Sequence, residues 1–199
     1  MRATPRADYL PERARHRAGV DAPLELGHGS TCSQPSTVRT MLGLLDVREG
    51  QRVLDVGSGS GWTTAILARL VGPTGHVVGV EVVADLVDDA AGRLERDGLV
   101  QASVRLAAPD ELGAADAGPF DRILVSAMAR ELPEPLVAQL APDGLMVLPL
   151  RGRMVRVTLA DGLPQVDPAP GAYRFVPLQT SDPSRRQGRR WPWGREASD

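Results

Sequence analysis

The sequence predicts an α/β fold: one domain on a doubly wound, mostly parallel sheet with an antiparallel edge. Three observations carry that expectation. Short apolar runs alternate with segments of helical spacing from residue 36 to residue 150. One of those runs, Arg52–Val56, ends in a glycine-rich turn that leads straight into a helical segment, the connection at which open parallel sheets bind ligands. Past Leu150 the helical segments stop and two strand-like runs follow one another, as at an antiparallel edge.

Each element has its own signal. Residues 36–45 place Val38, Met41, Leu42 and Leu45 at helical spacing behind Pro35. Residues 52–56 are a short apolar run bounded by turn residues, a buried parallel strand. Residues 62–71 put Trp62, Ala65, Ile66 and Leu70 on one side of a helix that Gly72-Pro73 ends. A strand is expected at 76–80, then a helix at 84–96 with acids in its first turns and Asp97-Gly98 as its stop, the sense the helix dipole favours. Strands at 103–106, 122–126 and 145–150 and a helix at 134–140 continue the alternation. Runs at 154–159 and 173–176 close the sheet.

Composition narrows the function classes. The single cysteine, Cys32, excludes an internal disulfide and a cysteine-built zinc site, and no metal site is expected; a reducing, cytoplasmic setting fits. No apolar run approaches the roughly 20 residues that cross a bilayer, and residues 1–20 hold five arginines without the apolar stretch of a secretory signal. All 23 basic residues are arginine. Residues 1–20 carry a net +3 and 179–199 a net +2, on a body of net −7. Nucleic-acid binders carry their positive charge on the folded body, so neither nucleic acid nor membrane is an expected partner, and a monomer is expected. The chain divides into a basic segment at 1–22, a domain at 23–178 and an Arg-rich tail at 179–199. The basic ends read as solvated, the tail as disordered despite Trp191 and Trp193.

The glycine loop reads Asp55-Val56-Gly57-Ser58-Gly59-Ser60-Gly61-Trp62. Alternating glycines let backbone approach a ligand without side-chain obstruction. A dinucleotide fingerprint needs glycine or alanine where this chain has Trp62, and a P-loop needs a lysine, which the chain lacks. Hydride transfer and nucleotide-triphosphate chemistry are thereby disfavoured. Glu81 follows Gly57 by 24 residues at the end of the next strand, placed to accept the hydroxyls of a ribose. The pattern of an acid followed by three alternating glycines resembles the first motif of the class I S-adenosyl-L-methionine-dependent methyltransferases, and with it a Rossmann-like sheet.

A second resemblance is more specific. Gly27-His28-Gly29-Ser30-Thr31-Cys32-Ser33-Gln34-Pro35 resembles the substrate loop of the protein-L-isoaspartate O-methyltransferases, whose form is Gly-x-Gly-x-Thr-x-Ser-x-Pro. Pro119-Phe120-Asp121-Arg122-Ile123-Leu124-Val125-Ser126-Ala127 resembles the family's central strand. Leu140-Ala141-Pro142-Asp143-Gly144 and Arg174-Phe175-Val176-Pro177-Leu178 resemble its last turns and closing strand. The resemblance covers residues 5–178. It implies methylation of the free α-carboxylate of an L-isoaspartyl residue in damaged proteins or peptides, followed by closure of the ester to a succinimide that hydrolyses partly to aspartate. It implies Ser33 as the active-site serine, with His28, Thr31 and Ser126 beside the substrate. Asp55, Gly57, Ser58, Gly59, Gly61 and Glu81 fall on the cofactor side.

The chain departs from the family twice. Ala107-Ala108-Pro109-Asp110 stands where the family often has Gly-Asp-Gly with an adenine-reading acid, which leaves Asp110 as a displaced candidate. Ser30 and Cys32 replace the more usual glutamine and β-branched residue. Neither Cys32 nor His28 is needed as a nucleophile or base, because an α-carboxylate is already ionised at neutral pH. Two other readings stay open at this point: methylation of an aspartate in a biosynthetic peptide, and a non-catalytic S-adenosylmethionine-binding homologue.

Overall fold

The computed structural model describes residues 3–108 and 111–179. Asp110 and nearly all of the Arg-rich tail, with Trp191 and Trp193, therefore lie outside the described residues. The strands are β1 (Leu24–Gly27), β2 (Ser30–Cys32), β3 (Arg52–Val56), β4 (His76–Glu81), β5 (Ala102–Leu106), β6 (Phe120–Val125), β7 (Leu140–Leu150), β8 (Arg153–Ala160) and β9 (Leu163–Pro168). The helices are α1 (Glu12–Arg15), α2 (Pro35–Leu45), α3 (Trp62–Val71), α4 (Ala84–Arg96) and α5 (Glu134–Val137).

Seven strands form one sheet in the order β5-β4-β3-β6-β7-β8-β9. Pairing is parallel from β5 to β7 and antiparallel between β7, β8 and β9. The expected doubly wound sheet with an antiparallel edge is thus present. The two-residue period of a strand assigns alternate side chains to two separate cores. Val53 of β3 packs with Val77, Leu124 and Val147 on the side of α2, α3 and α4. Leu54 and Val56 pack with Val78, Ile123 and Leu136 on the opposite side. Burial on both faces explains why β3 reads as an unbroken apolar run except at Asp55.

Chain direction across the sheet reverses between β3 and β6, so the loops after β3, β4 and β6 open into one crevice. The third wall comes from outside the sheet. β1 and β2 form a separate hairpin whose turn residues His28 and Gly29 both have positive φ, 55° and 73°, the geometry of a tight two-residue hairpin. A Cβ on Gly59 would come 3.4 Å from Leu26 Cδ1, so the hairpin rests on the glycine loop.

Three expectations are corrected. The N-terminal segment is not a solvated basic end: Tyr9 and Leu10 are fully buried, Arg6 is 6% exposed, and all three belong to the packed body. The helix expected at 134–140 is the single turn α5, because β7 begins at Leu140 and pairs there with Phe120. The closing strand is β9 rather than 173–176. All six β9 residues are exposed, so no apolar alternation marked it, and Pro164 and Pro168 are tolerated because this is the outer strand. Residues 173–179 instead cross the sheet end, where Met128 N–H donates to Val176 O at 2.7 Å and Leu178 N–H to Met128 O at 2.8 Å.

Candidate active site

The glycine loop takes its shape from backbone that other residues adopt only with strain. Gly57, Gly59 and Gly61 have φ of 75°, 53° and 81°. Gly57 and Ser58 donate their N–H groups to Val80 O at 2.9 and 3.1 Å, which seats the loop on the end of β4. Gly79 makes that seat: a Cβ there would lie 2.9 Å from Val104 Cγ2 and 3.1 Å from Ser58 Cβ. Sequence reasoning missed Gly79, whose signal was a lone glycine inside an apolar strand.

Glu81, at the end of β4, is 6% exposed and holds the loop from below. Its Oε2 accepts from Gly59 N–H at 2.9 Å, and its Oε1 from Val82 N–H at 2.7 Å and Val83 N–H at 3.1 Å. One carboxylate therefore joins the glycine loop to the start of α4. Oε1 has both its lone pairs engaged, so Oε2 is the oxygen with a lone pair left for an approaching ligand.

Asp55 has a different place from the one expected. It is fully buried on the α3 side, is absent from the cavity wall, and accepts from Thr63 Oγ1 at 2.8 Å and Thr64 Oγ1 at 2.7 Å. Strand alternation turned it inward with Val53. Its role is to pin the first turn of α3, whose N-cap Gly61 offers no side chain for that purpose. Gly61 also leaves the cavity wall: a Cβ there would meet Ala90 Cβ at 3.0 Å, so this glycine admits α4 against the loop.

Burial pushes the Asp55 carboxyl up to about 6, against the two threonine bonds and with the Glu81 charge adding to the rise. A folded value above the unfolded one means that folding holds the proton between the two. Stability from this group is therefore greatest below pH 4 and is lost as pH rises through 6. Asp55→Asn should remove that slope, so the stability of the parent relative to the variant should fall by about 2 kcal/mol between pH 4 and pH 7. Parallel denaturation curves at both pH values check this, and a constant difference would show that Asp55 titrates normally.

One cavity of about 440 Å³ joins these parts. Gly57, Ser58, Gly59 and Glu81 line it from the sheet. His28, Thr31 and Ser33 line it from the hairpin and the turn after it, and Ser126 from the end of β6. Ser58 Oγ and Asp55 Oδ1 are buried with no hydrogen-bond partner among the described residues. Leu106, Ala107, Ala108 and Glu111–Gly113 form the wall that sequence reasoning left to Asp110, and Val176 to Gln179 form the far rim. His28 Nε2 lies 3.2 Å from Asp85 Oδ2, which ties the hairpin tip to the first turn of α4 over the cavity. Cys32 is buried in the wall, and burial raises its thiol pKa despite the nearby arginines, which suits a packed thiol and not a nucleophile.

A parallel sheet with a glycine loop and a strand-end carboxylate at its point of reversal is the arrangement of the Rossmann-like methyltransferases. The chain belongs, within that class, to the protein-L-isoaspartate(D-aspartate) O-methyltransferase family, whose model matches residues 1–181. It is 46% identical over 150 residues to the protein-L-isoaspartate O-methyltransferase of Methanothrix thermoacetophila, across 75% of this chain and 71% of the relative. Identity to that of Methanopyrus kandleri is 43% over 153 residues, 77% of this chain and 68% of the relative. Among solved structures, one described as a putative protein-L-isoaspartate O-methyltransferase from Plasmodium falciparum in complex with S-adenosyl-L-homocysteine superposes with a TM-score of 0.76. It shares 29% identity and covers 89% of this chain and 87% of its own.

Proposed function

We propose that this chain transfers a methyl group from S-adenosyl-L-methionine to the free α-carboxylate of L-isoaspartyl residues in proteins or peptides. The observation that carries the reading is the single cavity whose two sides are the glycine loop with Glu81 and the Gly27–Pro35 loop with Ser33. Family membership supplies the chemistry expected of such a composite site.

The residues present fit the cofactor. Glu81 offers an acceptor to ribose hydroxyls, and Gly57 and Gly59 present bare backbone to the cavity. Backbone at Ala107 and Ala108 borders the site where the family's adenine acid is missing, and Ala107 N–H is already committed to Glu81 O at 2.8 Å. When bound, S-adenosyl-L-methionine supplies a methyl group already activated on a sulfonium, so transfer to a carboxylate requires no proton to be removed. The protein's work is alignment and exclusion of water. Thr31 and Ser33 from the hairpin side and Ser126 from the end of β6 orient the carboxylate. That division of labour calls for no acid–base pair.

The test is methylation of a matched pair of peptides that differ only in carrying isoaspartyl or normal aspartyl at one position. Base-labile methanol released from the isoaspartyl peptide alone supports the reading. Methanol from the aspartyl peptide would assign the chain to peptide tailoring, and none from either would leave a cofactor-binding homologue.

A further inference from the structure

Arg6 carries a buried cation that the proposed reaction does not use. Its side chain pairs with no carboxylate among the described residues and spends its donors on backbone. Nη2 donates to Ala22 O at 2.8 Å, Cys32 O at 2.9 Å and Ser33 O at 3.0 Å. Nη1 donates to Val20 O at 3.0 Å, with Ala18 O at 3.5 Å, and Nε lies 3.5 Å from Cys32 Sγ. The guanidinium carbon stands 5.6 Å from the centroid of the Trp62 ring. Trp62 Nε1–H in turn donates to Thr4 O at 3.0 Å, so the segment bearing Arg6 is clasped from both sides.

These partners belong to the two halves of the cavity. Cys32 and Ser33 form the substrate side, and Trp62 opens α3 directly after the glycine loop. Burying a cation without a counter-charge is costly, and a planar fork of five donors spans the carbonyls of two separate segments, 18–22 and 32–33, at once. We propose that Arg6 is a positioning residue for the acceptor. It fixes the carbonyls of Cys32 and Ser33, and with them the direction from which the Ser33 hydroxyl enters the cavity, and it registers that loop against the glycine loop through Trp62. The inference rests on the reading that the Gly27–Pro35 loop holds the carboxylate.

Arg6→Lys tests it, because an ammonium keeps the charge but lacks the planar fork that bridges both segments. Cys32 is the only cysteine in the chain, so its labelling by an aromatic disulfide reagent reports on this loop without requiring turnover. In folded Arg6→Lys protein, Cys32 should label about 10- to 100-fold faster than in the parent, through local opening. Affinity for S-adenosyl-L-homocysteine should stay within about threefold, while kcat/KM for isoaspartyl peptide falls about 30-fold. Adding Ser33→Ala to Arg6→Lys should cost less than about threefold further, because the two act through one contact.

Unchanged labelling in a folded variant overturns the proposal, as do peptide losses that multiply with Ser33→Ala. Arg6→Gln, which buries no charge, replaces the lysine variant if that fails to fold. Loss of fold in both would assign Arg6 a purely structural role and overturn the positioning claim. A parent that methylates no isoaspartyl peptide sinks the functional reading instead, and the labelling comparison then still decides whether Arg6 holds the loop.

Discussion

Glu81→Ala should cost the protein both stability and its cofactor. Three backbone N–H groups, of Gly59, Val82 and Val83, lose their acceptor together. Leaving a buried donor unpaired costs about 1–3 kcal/mol, and these three are only partly buried, so a loss of about 3 kcal/mol is expected. In a chain of this size that corresponds to a fall of roughly 6–12 °C in Tm. Binding suffers separately. Loss of the charge-assisted bonds to the ribose, at about 1.5–3 kcal/mol, weakens S-adenosyl-L-homocysteine by roughly 10- to 100-fold. Calorimetric titration well below the variant's Tm separates the two effects. A lowered Tm with unchanged affinity would leave Glu81 as a brace for the glycine loop and move the ribose acceptor elsewhere.

Ser33→Ala should spare the cofactor and damage turnover. The attacking carboxylate oxygen loses negative charge on the way to the transition state, so a hydrogen bond to that oxygen would weaken as the reaction proceeds. Such a bond would favour bound substrate over the transition state and slow the reaction. The Ser33 hydroxyl should therefore donate to the other oxygen, holding the carboxylate while the nucleophilic lone pair stays free. Its removal should lower kcat/KM for isoaspartyl peptide by about 10- to 100-fold, the equivalent of about 1.5–3 kcal/mol. Affinity for S-adenosyl-L-homocysteine should barely change, since the contacts proposed for the cofactor lie at the glycine loop and Glu81, on the other side of the cavity. A variant as fast as the parent at low peptide concentration would remove Ser33 from the site.

What was legible in the sequence was whatever follows from local pattern. The bounds of β3 and α3 and the glycine loop between them could be read because burial on both faces leaves an apolar run and the turn demands glycine. Glu81 could be read because its distance from Gly57 is set by one helix and one strand. Asp55 shows the limit. Its place in the motif suggested a ligand contact, but whether a strand residue faces the crevice or the core depends on its register with neighbouring strands, and Asp55 stands opposite Gly79 in the sheet interior. Arg6 was missed for another reason. A count of charges treats every arginine as solvated, and backbone carbonyls of an irregular segment, which leave no mark in the sequence, are what make its burial tolerable. The stretch at Ala107 and Ala108 could be placed at the cavity from its position after β5, but not which of its groups would face a ligand, since small apolar residues offer only backbone and contact surface.

The central claim is that the hairpin loop and the glycine loop serve one reaction from opposite sides of one cavity. A crystal structure of the protein with S-adenosyl-L-homocysteine and an isoaspartyl peptide tests it most directly. The account predicts ribose hydroxyls on Glu81, the isoaspartyl α-carboxylate with one oxygen on the Ser33 hydroxyl, and its other oxygen facing the cofactor sulfur. A peptide seated away from the Gly27–Pro35 loop, or a carboxylate whose only oxygen near sulfur is the one Ser33 holds, would contradict it.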